Sequence, residues 1–302
     1  MSGLEEEIRI QSCTICPREC GADRTNGNGF CKAGAKIKVA RAMLHFWEEP
    51  CISGKNGSGT VFFSGCPLKC RYCQNYKISA ENFGKEISVQ KLCEIFFSLK
   101  EKGAHNINLV SPTQYAPFII EALKEIKPSL KIPVVWNTGG YEKVETIKSL
   151  NGLVDIYLPD LKYMDSDISL KYSGAADYFN AASEALKEMY SQVGGAAFDE
   201  NGLLKKGVIV RHLVLPGNRR DSLKILGWLE KNFPKKDILL SLMSQYTPYR
   251  HDEEFKELNR RISSFEYSVV AKRAAELGFE GYLQEKSSAK EEYTPAFDLS
   301  GI

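Results

Sequence analysis

The chain has 302 residues, with 40 Lys and Arg against 38 Asp and Glu, for a net charge of +2. That length suits one large α/β domain with appendages, and the near-balanced charge argues against a protein built chiefly to grip nucleic acid. No run approaches the roughly 18 apolar residues of a membrane span and residues 1–7 lack the regions of a signal peptide, so a soluble, cytoplasmic protein without a membrane partner is expected.

Nine cysteines in such a chain point to reduced thiols that serve metals rather than to disulfides. Residues 1–57 read as a Cys-rich segment. Cys13, Cys16, Cys20 and Cys31 follow the spacing C-x2-C-x3-C-x10-C, with Gly21, Gly27 and Gly29 between them. Glycines let the backbone turn tightly enough for several thiolates to face one point. Zinc and an auxiliary iron–sulfur cluster are both compatible with four thiolates. A stretch this short and polar needs the folding free energy that a metal supplies. Cys51 stands apart and is expected to be a small buried apolar group, with a fifth-ligand role as the alternative. His45, next to Phe46 and Trp47 and near Glu48 and Glu49, is expected to be packed and hydrogen-bonded rather than functional.

Thr60 to Phe63 is a short β-branched and aromatic run, the pattern of a buried strand, which Ser64 and Gly65 break. The loop that follows carries Cys66, Cys70 and Cys73 as C-x3-C-x2-C. Three thiols from one loop would leave one iron of a [4Fe-4S] cube without a protein ligand, and an open metal position marks a catalytic centre. A zinc knuckle would need a second ligand pair, and after Cys73 only Cys93 remains, inside a helical pattern.

From Thr60 onward short apolar runs alternate with amphipathic stretches. Strands are expected at 60–63, 106–110, 133–136, 154–158, 208–215 and 238–243. Helices are expected at 88–102, 115–126, 142–150, 177–192 and 221–232. Six such units imply parallel pairing and right-handed crossovers, and they fall short of the eight of a closed barrel. The expected fold is therefore α/β, an open partial TIM-type barrel over 58–250, followed by a helical extension over 251–302 with helices near 251–260 and 263–277. Asn201-Gly202 reads as a hairpin turn.

The triplet Cys66-x3-Cys70-x-Tyr72-Cys73 at the end of a first barrel strand resembles the signature of radical S-adenosylmethionine (SAM) enzymes. The stretch Cys13-x2-Cys16-Pro-Arg-x-Cys20-Gly-Ala-Asp-Arg24, the run Cys73-Gln-Asn-Tyr76 and the run Arg211-His-Leu-Val-Leu-Pro-Gly217 are similar to the iron–sulfur proteins related to pyruvate formate-lyase activating enzyme. That resemblance implies a [4Fe-4S] cluster held by Cys66, Cys70 and Cys73 whose open iron is chelated by SAM. It implies reductive cleavage of SAM to a 5′-deoxyadenosyl radical, fed by a flavodoxin or ferredoxin. It also raises activation of a glycyl radical enzyme, against modification of a small molecule, peptide or RNA, or a metal and electron-transfer module that does no chemistry.

In such barrels chemistry gathers on the loops after the strands. Tyr72 occupies the aromatic place of the triplet. After the second strand, Ser111-Pro-Thr113-Gln114 departs from the Gly-Gly-Glu type motif of many family members, and Thr113 is taken as the candidate SAM contact. Asn137 ends the third strand and suits a ribose or carboxylate contact. Asp160 and Lys162 end the fourth, two apart on an extended segment, and so point the same way. They resemble the Asp-x-Lys element of pyruvate formate-lyase activating enzymes. On the fifth, alternation puts Arg211 and His212 on opposite faces, and the Arg211 guanidinium fork suits the SAM carboxylate. Residues 244–248 at the end of the sixth strand are candidate substrate contacts. Phe62, Trp136 and Tyr157 are expected in the core.

Overall fold

The computed structural model describes residues 10–249, 251–284 and 295–302. The signal-peptide reading of residues 1–7 and most of the polar stretch after Gln284 lie outside them. Ten strands form the sheet: β1 (Ile37–His45), β2 (Ser58–Phe63), β3 (Lys85–Ile87), β4 (Ile107–Val110), β5 (Val134–Thr138), β6 (Ile156–Pro159), β7 (Ala197–Phe198), β8 (Leu204–Leu213), β9 (Ile238–Met243) and β10 (Gly281–Leu283). The order is β10-β9-β8-β6-β5-β4-β2-β1-β3, with β7 on β8, and the two ends do not pair with each other. This is an open, mostly parallel sheet of partial TIM-barrel type.

The parallel part holds seven strands, one more than the six read from the sequence. β10 is the addition, parallel to β9 through Gly281↔Leu240. Its three residues are too few to show a period, and the backbones come so close that a Cβ at Gly281 would lie 2.1 Å from the Leu240 carbonyl oxygen. β1 is a second addition. It lies in the stretch read as Cys-rich, yet it pairs antiparallel with β2, His45 opposite Ser58. Residues 251–260, read as helical, hold a 3-10 turn at Lys256–Asn259, and a helix not expected from the sequence spans Ser166–Ser173, N-capped by Asp165.

Alternation along the strands builds two apolar layers. Val61, Phe63, Leu109, Trp136, Val208 and Val210 face outward, covered near β2 and β4 by the helices Val89–Glu101 and Ala116–Leu130 and at β8 by the helix Tyr178–Val193. Val135, Ile156, Leu158, Ile209 and Leu239 face inward and meet Cys51 and Ile52 from the short helix Pro50–Ser53, which plugs the lower end of the barrel. Cys51 is therefore a packing residue of this plug. On each inward row the next residues along are polar: Asn137 after Val135, Asp160 after Leu158, Arg211 after Ile209. Moving two residues up a strand thus leads from the plug to the mouth.

The segment carrying Cys13 to Cys31 clamps the mouth. Arg24, only 1% exposed, donates to Gln114 O at 2.7 Å and to Gly34 O through Nε at 3.1 Å. Thr146 Oγ1 donates to Ile15 O at 2.6 Å. Arg18 reaches Pro67 O at 2.9 Å and Gly174 O at 2.5 Å. No described helix is long and apolar enough to cross a membrane.

Candidate active site

β2 is buried along its whole length and delivers the chain to the mouth. Gly65 then takes φ +82°, and a Cβ there would stand 2.5 Å from Cys31 O, so the turn requires glycine. The loop it opens is pinned from several sides: Lys69 N–H donates to Ser173 O at 3.2 Å, Arg71 N–H to Tyr172 O at 2.8 Å, and Arg18 to Pro67 O. Cys66, Cys70 and Cys73, all half-buried, line one cavity. Burial pushes the Cys66 thiol up, and the neighbouring Cys70 and Cys73 push it further. Three sulfurs that repel one another as thiolates are what a cationic metal group relieves.

Cys70 Sγ accepts from Ser173 Oγ at 3.0 Å. Ser173 in turn bonds Tyr163 Oη at 2.7 Å, and Tyr163 bonds Tyr72 Oη at 2.5 Å. This chain of hydroxyls orients one sulfur, the kind of contact that tunes a cluster's potential. Cys73 Sγ lies 3.3 Å from Ser79 Oγ. Among the described residues no three His, Cys, Asp or Glu side chains are gathered as ligands of one ion. Three thiols around one cavity fit the three protein ligands of a cluster.

Opposite the loop, the strand ends supply a charged network. Arg211 Nε donates to Asp160 Oδ1 at 2.9 Å, its Nη2 to Asn137 Oδ1 at 2.6 Å and its Nη1 to Glu48 Oε2 at 3.3 Å. Lys162 Nζ donates to Asp160 Oδ2 at 2.5 Å, and Asn137 Nδ2 to Glu48 Oε1 at 3.2 Å. Burial works against the Asp160 carboxylate, but Arg211 and Lys162 outweigh it and hold its pKa below the ordinary value. Burial likewise opposes the charge on Lys162, yet Asp160 and Cys70 raise its pKa. For Glu48 burial wins over Arg211 and its pKa rises. Tyr178 Oη holds the mouth together, donating toward Gly139 O (2.9 Å) and Asp160 O (2.8 Å) and accepting from Lys162 N–H at 2.9 Å.

Tyr72, Asn137, Asp160, Lys162 and Arg211 thus line the cavity that holds the three thiols. Thr113 does not. It starts a 3-10 turn that rotates its hydroxyl away from the mouth, where it donates to the buried Glu142 Oε1 at 2.6 Å. Thr138 and Trp136 Nε1 bond the same oxygen, and Gln114 spends its amide on Ser64 O, Gly65 O and Ser111 O. Arg211 and His212 do take opposite faces: His212 is buried between Leu161 O at 2.7 Å and Ser222 Oγ at 2.8 Å. Trp136, Tyr157 and Phe62 are all buried core residues, and Phe62 also lines the cavity. Gln245 also reaches the cavity.

Sequence reasoning left Glu48 unassigned and expected His45 to be packed rather than functional; both line the cavity, from β1 and the turn after it. His45 is 6% exposed and packs edge-on against Phe62, and burial lowers its pKa to about 4. The signal that could have found both was the alternation of Ile37, Val39, Met43 and His45 in a stretch read only for its cysteines.

The four N-terminal thiols lie in one folded segment against the cluster loop and influence one another electrostatically. Cys13 and Cys31 are buried, Cys16 is half-buried and Cys20 is exposed. Burial pushes the Cys16 thiol up to about 12, helped by Cys31 and Cys13. Burial opposes the Cys20 thiolate, but the backbones of Phe30 and Ala22 and the Cys13 thiol hold its pKa below the ordinary value.

A family model described as the radical SAM superfamily matches residues 60–226. Uncharacterized protein MJ0674 of Methanocaldococcus jannaschii is 30% identical over 267 residues, 84% of this chain and 71% of its own. Streptococcus suis SuiB bound to S-adenosylmethionine shares the fold with a TM-score of 0.50 at 14% identity, over 75% of this chain and 50% of SuiB. A radical SAM methyltransferase from Sphaerobacter thermophilus gives a TM-score of 0.51 at 14% identity, over 75% of this chain and 66% of its own. The chain thus spans half the length of SuiB. With residues 60–226, more than half its length, matched by that family model, the chain belongs to the radical SAM superfamily.

Proposed function

We propose that the protein is a radical SAM enzyme in which Cys66, Cys70 and Cys73 hold a [4Fe-4S] cluster. When bound there with S-adenosylmethionine, the cluster supplies one-electron cleavage of a sulfonium C–S bond, giving methionine and a 5′-deoxyadenosyl radical. The observation that carries this reading is the single cavity with three thiols on one wall and a balanced charged network on the other. Arg211, Asp160, Lys162 and Asn137 would hold a zwitterionic cofactor, the guanidinium toward its carboxylate and Asp160 toward its amino group. Tyr72 walls the cluster loop and keeps water from the sulfurs. The four N-terminal thiols form a second metal site. Nine free cysteines suit a reducing compartment such as the cytoplasm.

The finer reading is that the radical is passed to a glycyl residue of a partner protein. It is supported by the likeness of Asp160-Leu-Lys162 to the Asp-x-Lys element of activating enzymes, and its reductant would be a flavodoxin or ferredoxin. Anaerobically reconstituted, reduced protein should convert SAM to 5′-deoxyadenosine and methionine, and Cys66→Ala should abolish this. No cleavage in the wild type would end the enzymatic reading. A glycyl radical signal on mixing with a candidate partner would establish the finer one, and modification of a small molecule, peptide or RNA instead would replace it.

A further inference from the structure

We propose that residues 295–302 form a gate on the cavity, seated on β1 in this structure, that leaves its seat to admit cofactor and substrate. The need for two guests in one cavity rests on the function proposed above; the seat stands on the residues alone.

The segment runs as a strap along β1 at the edge of the cavity. Leu299 N–H donates to Ala40 O at 3.1 Å and Ala42 N–H to Ser300 O at 3.0 Å. Arg41 donates to Ala296 O. Lys77, in the short helix Tyr76–Ser79 after the cluster loop, donates to Phe297 O at 2.8 Å. Phe297 is the anchor: it is 6% exposed, meets Phe62 edge-on at 5.5 Å and packs with Ala40, Ile78 and Val110. Phe62 and Val110 line the same cavity as Cys66, and Pro295 lines it directly. The ring that holds the strap down thus also backs the cavity wall.

Three features set the strap apart as the wall that moves. The strands lining the cavity are paired on both sides, and the cluster loop is pinned through Arg18, Lys69 and Arg71. The strap has two main-chain bonds to β1 and one buried ring, and segments held by few buried contacts open most readily. It is also strained. Leu299 takes φ +68° while 37% exposed, so a costly left-handed residue gains little burial in return. Room is the third. The cavity measures about 190 Å³, below the roughly 300 Å³ at which pockets begin to enclose a drug-sized ligand. A nucleoside joined to an amino acid is such a ligand, and a substrate has to lie beside it.

The test uses the full chain, metal-free, as wild type, Gly301→Val and Leu299→Asn. Gly301 has φ +77°, and a Cβ there would stand 2.0 Å from Ala42 O, so valine unseats the strap from a point that does not line the cavity. Asparagine tolerates the left-handed state and seats the strap more firmly. Cys66 is the reporter, because Cys70 and Cys73 also border clefts outside the loop. Its alkylation by N-ethylmaleimide, mapped by mass spectrometry, should be about tenfold faster in Gly301→Val and about threefold slower in Leu299→Asn than in wild type. The buried Cys93 should react equally slowly in all three, showing that they are folded. Should Gly301→Val expose Cys93 as well, Phe297→Ala, which removes the anchor alone, decides by the same measure. Rates at Cys66 that do not follow this order, with Cys93 protected, overturn the gate. In protein reconstituted with iron and sulfide, the association rate of S-adenosylmethionine should follow the same order. No binding in any form, with the Cys66 order kept, would sink the function proposed for the site and leave the gate standing.

Discussion

Arg211 and Asp160 are joined twice: the guanidinium donates to the carboxylate at 2.9 Å, and their backbones pair as a parallel bridge that carries β6 and β8 to the barrel mouth. The bridge fixes the side-chain pair, and through Asn137 and Glu48 the same guanidinium ties four chain segments together. Arg211→Ala should therefore leave Glu48 buried without a cation and Asp160 with Lys162 alone, and cost about 3–5 kcal/mol, measured by urea unfolding. Arg211→Lys keeps the charge and loses the fork. It should fold with a smaller loss and bind SAM roughly 10- to 100-fold more weakly, by calorimetry on the anaerobic protein.

Gly140 tests how tightly that mouth is packed. It adopts φ +82°, and a Cβ would stand 2.1 Å from Asp160 O and 2.9 Å from Tyr178 Oη. Gly140→Ala should lose about 2–4 kcal/mol and displace Asp160. Gly152→Ala, at φ +77° with open space around it, should lose only about 1 kcal/mol, and the pair compared by thermal unfolding isolates the clash.

Glu49 is buried beside Glu48, and its Oε2 has no partner. Burial raises its pKa, Arg211 opposes this and Glu48 adds to it. An acid whose folded pKa is raised favours the native state below the ordinary carboxylate value, and that contribution is lost as pH rises through the folded pKa. Glu49→Gln removes the titration while keeping the shape. It should melt higher than wild type near pH 8, by about 2–4 °C for each kcal/mol recovered, with the difference shrinking as pH falls toward 4.5.

His212 acts in the opposite sense. Burial holds the imidazole neutral and lowers its pKa to about 4. A base with a depressed folded pKa contributes stability above the unfolded value of about 6.5, lost as pH falls toward 4, up to about 3 kcal/mol in all. Unfolding curves of His212→Gln should lack that share of the acid loss; an unchanged slope between pH 6.5 and 4 would refute it.

The cysteines should divide by role. Cys66→Ala should remove iron from the loop and change stability little in the metal-free chain. Cys93→Ala, in the buried face of the helix Val89–Glu101, should keep full iron content and lose about 1 kcal/mol from the small cavity it leaves. Iron analysis paired with urea unfolding of each metal-free variant checks both.

Much of this was legible in the sequence where a residue's job follows from its neighbours along the chain. The triplet on one loop needed only spacing, and the period of two set Arg211 inward and His212 outward. What was not legible depends on contacts made across the fold. Thr113 follows the right strand, but a 3-10 turn hands its hydroxyl to Glu142. Glu48 lies far before the barrel, and only the antiparallel return of β1 brings it to Arg211. β10 has three residues and declares itself a strand only against β9.

The clamp formed by Arg18 also sets an order of events during synthesis. Its acceptors include Gly174 O, 156 residues further along, so the segment around Arg18 cannot take its final seat until the chain as far as Gly174 has followed it from the ribosome. The early thiols must wait, open to solvent, while the strands after them assemble. Loading of the N-terminal site is thus a late step in the protein's maturation, and a chain released short of Gly174 would present four accessible cysteines without the platform that shelters them.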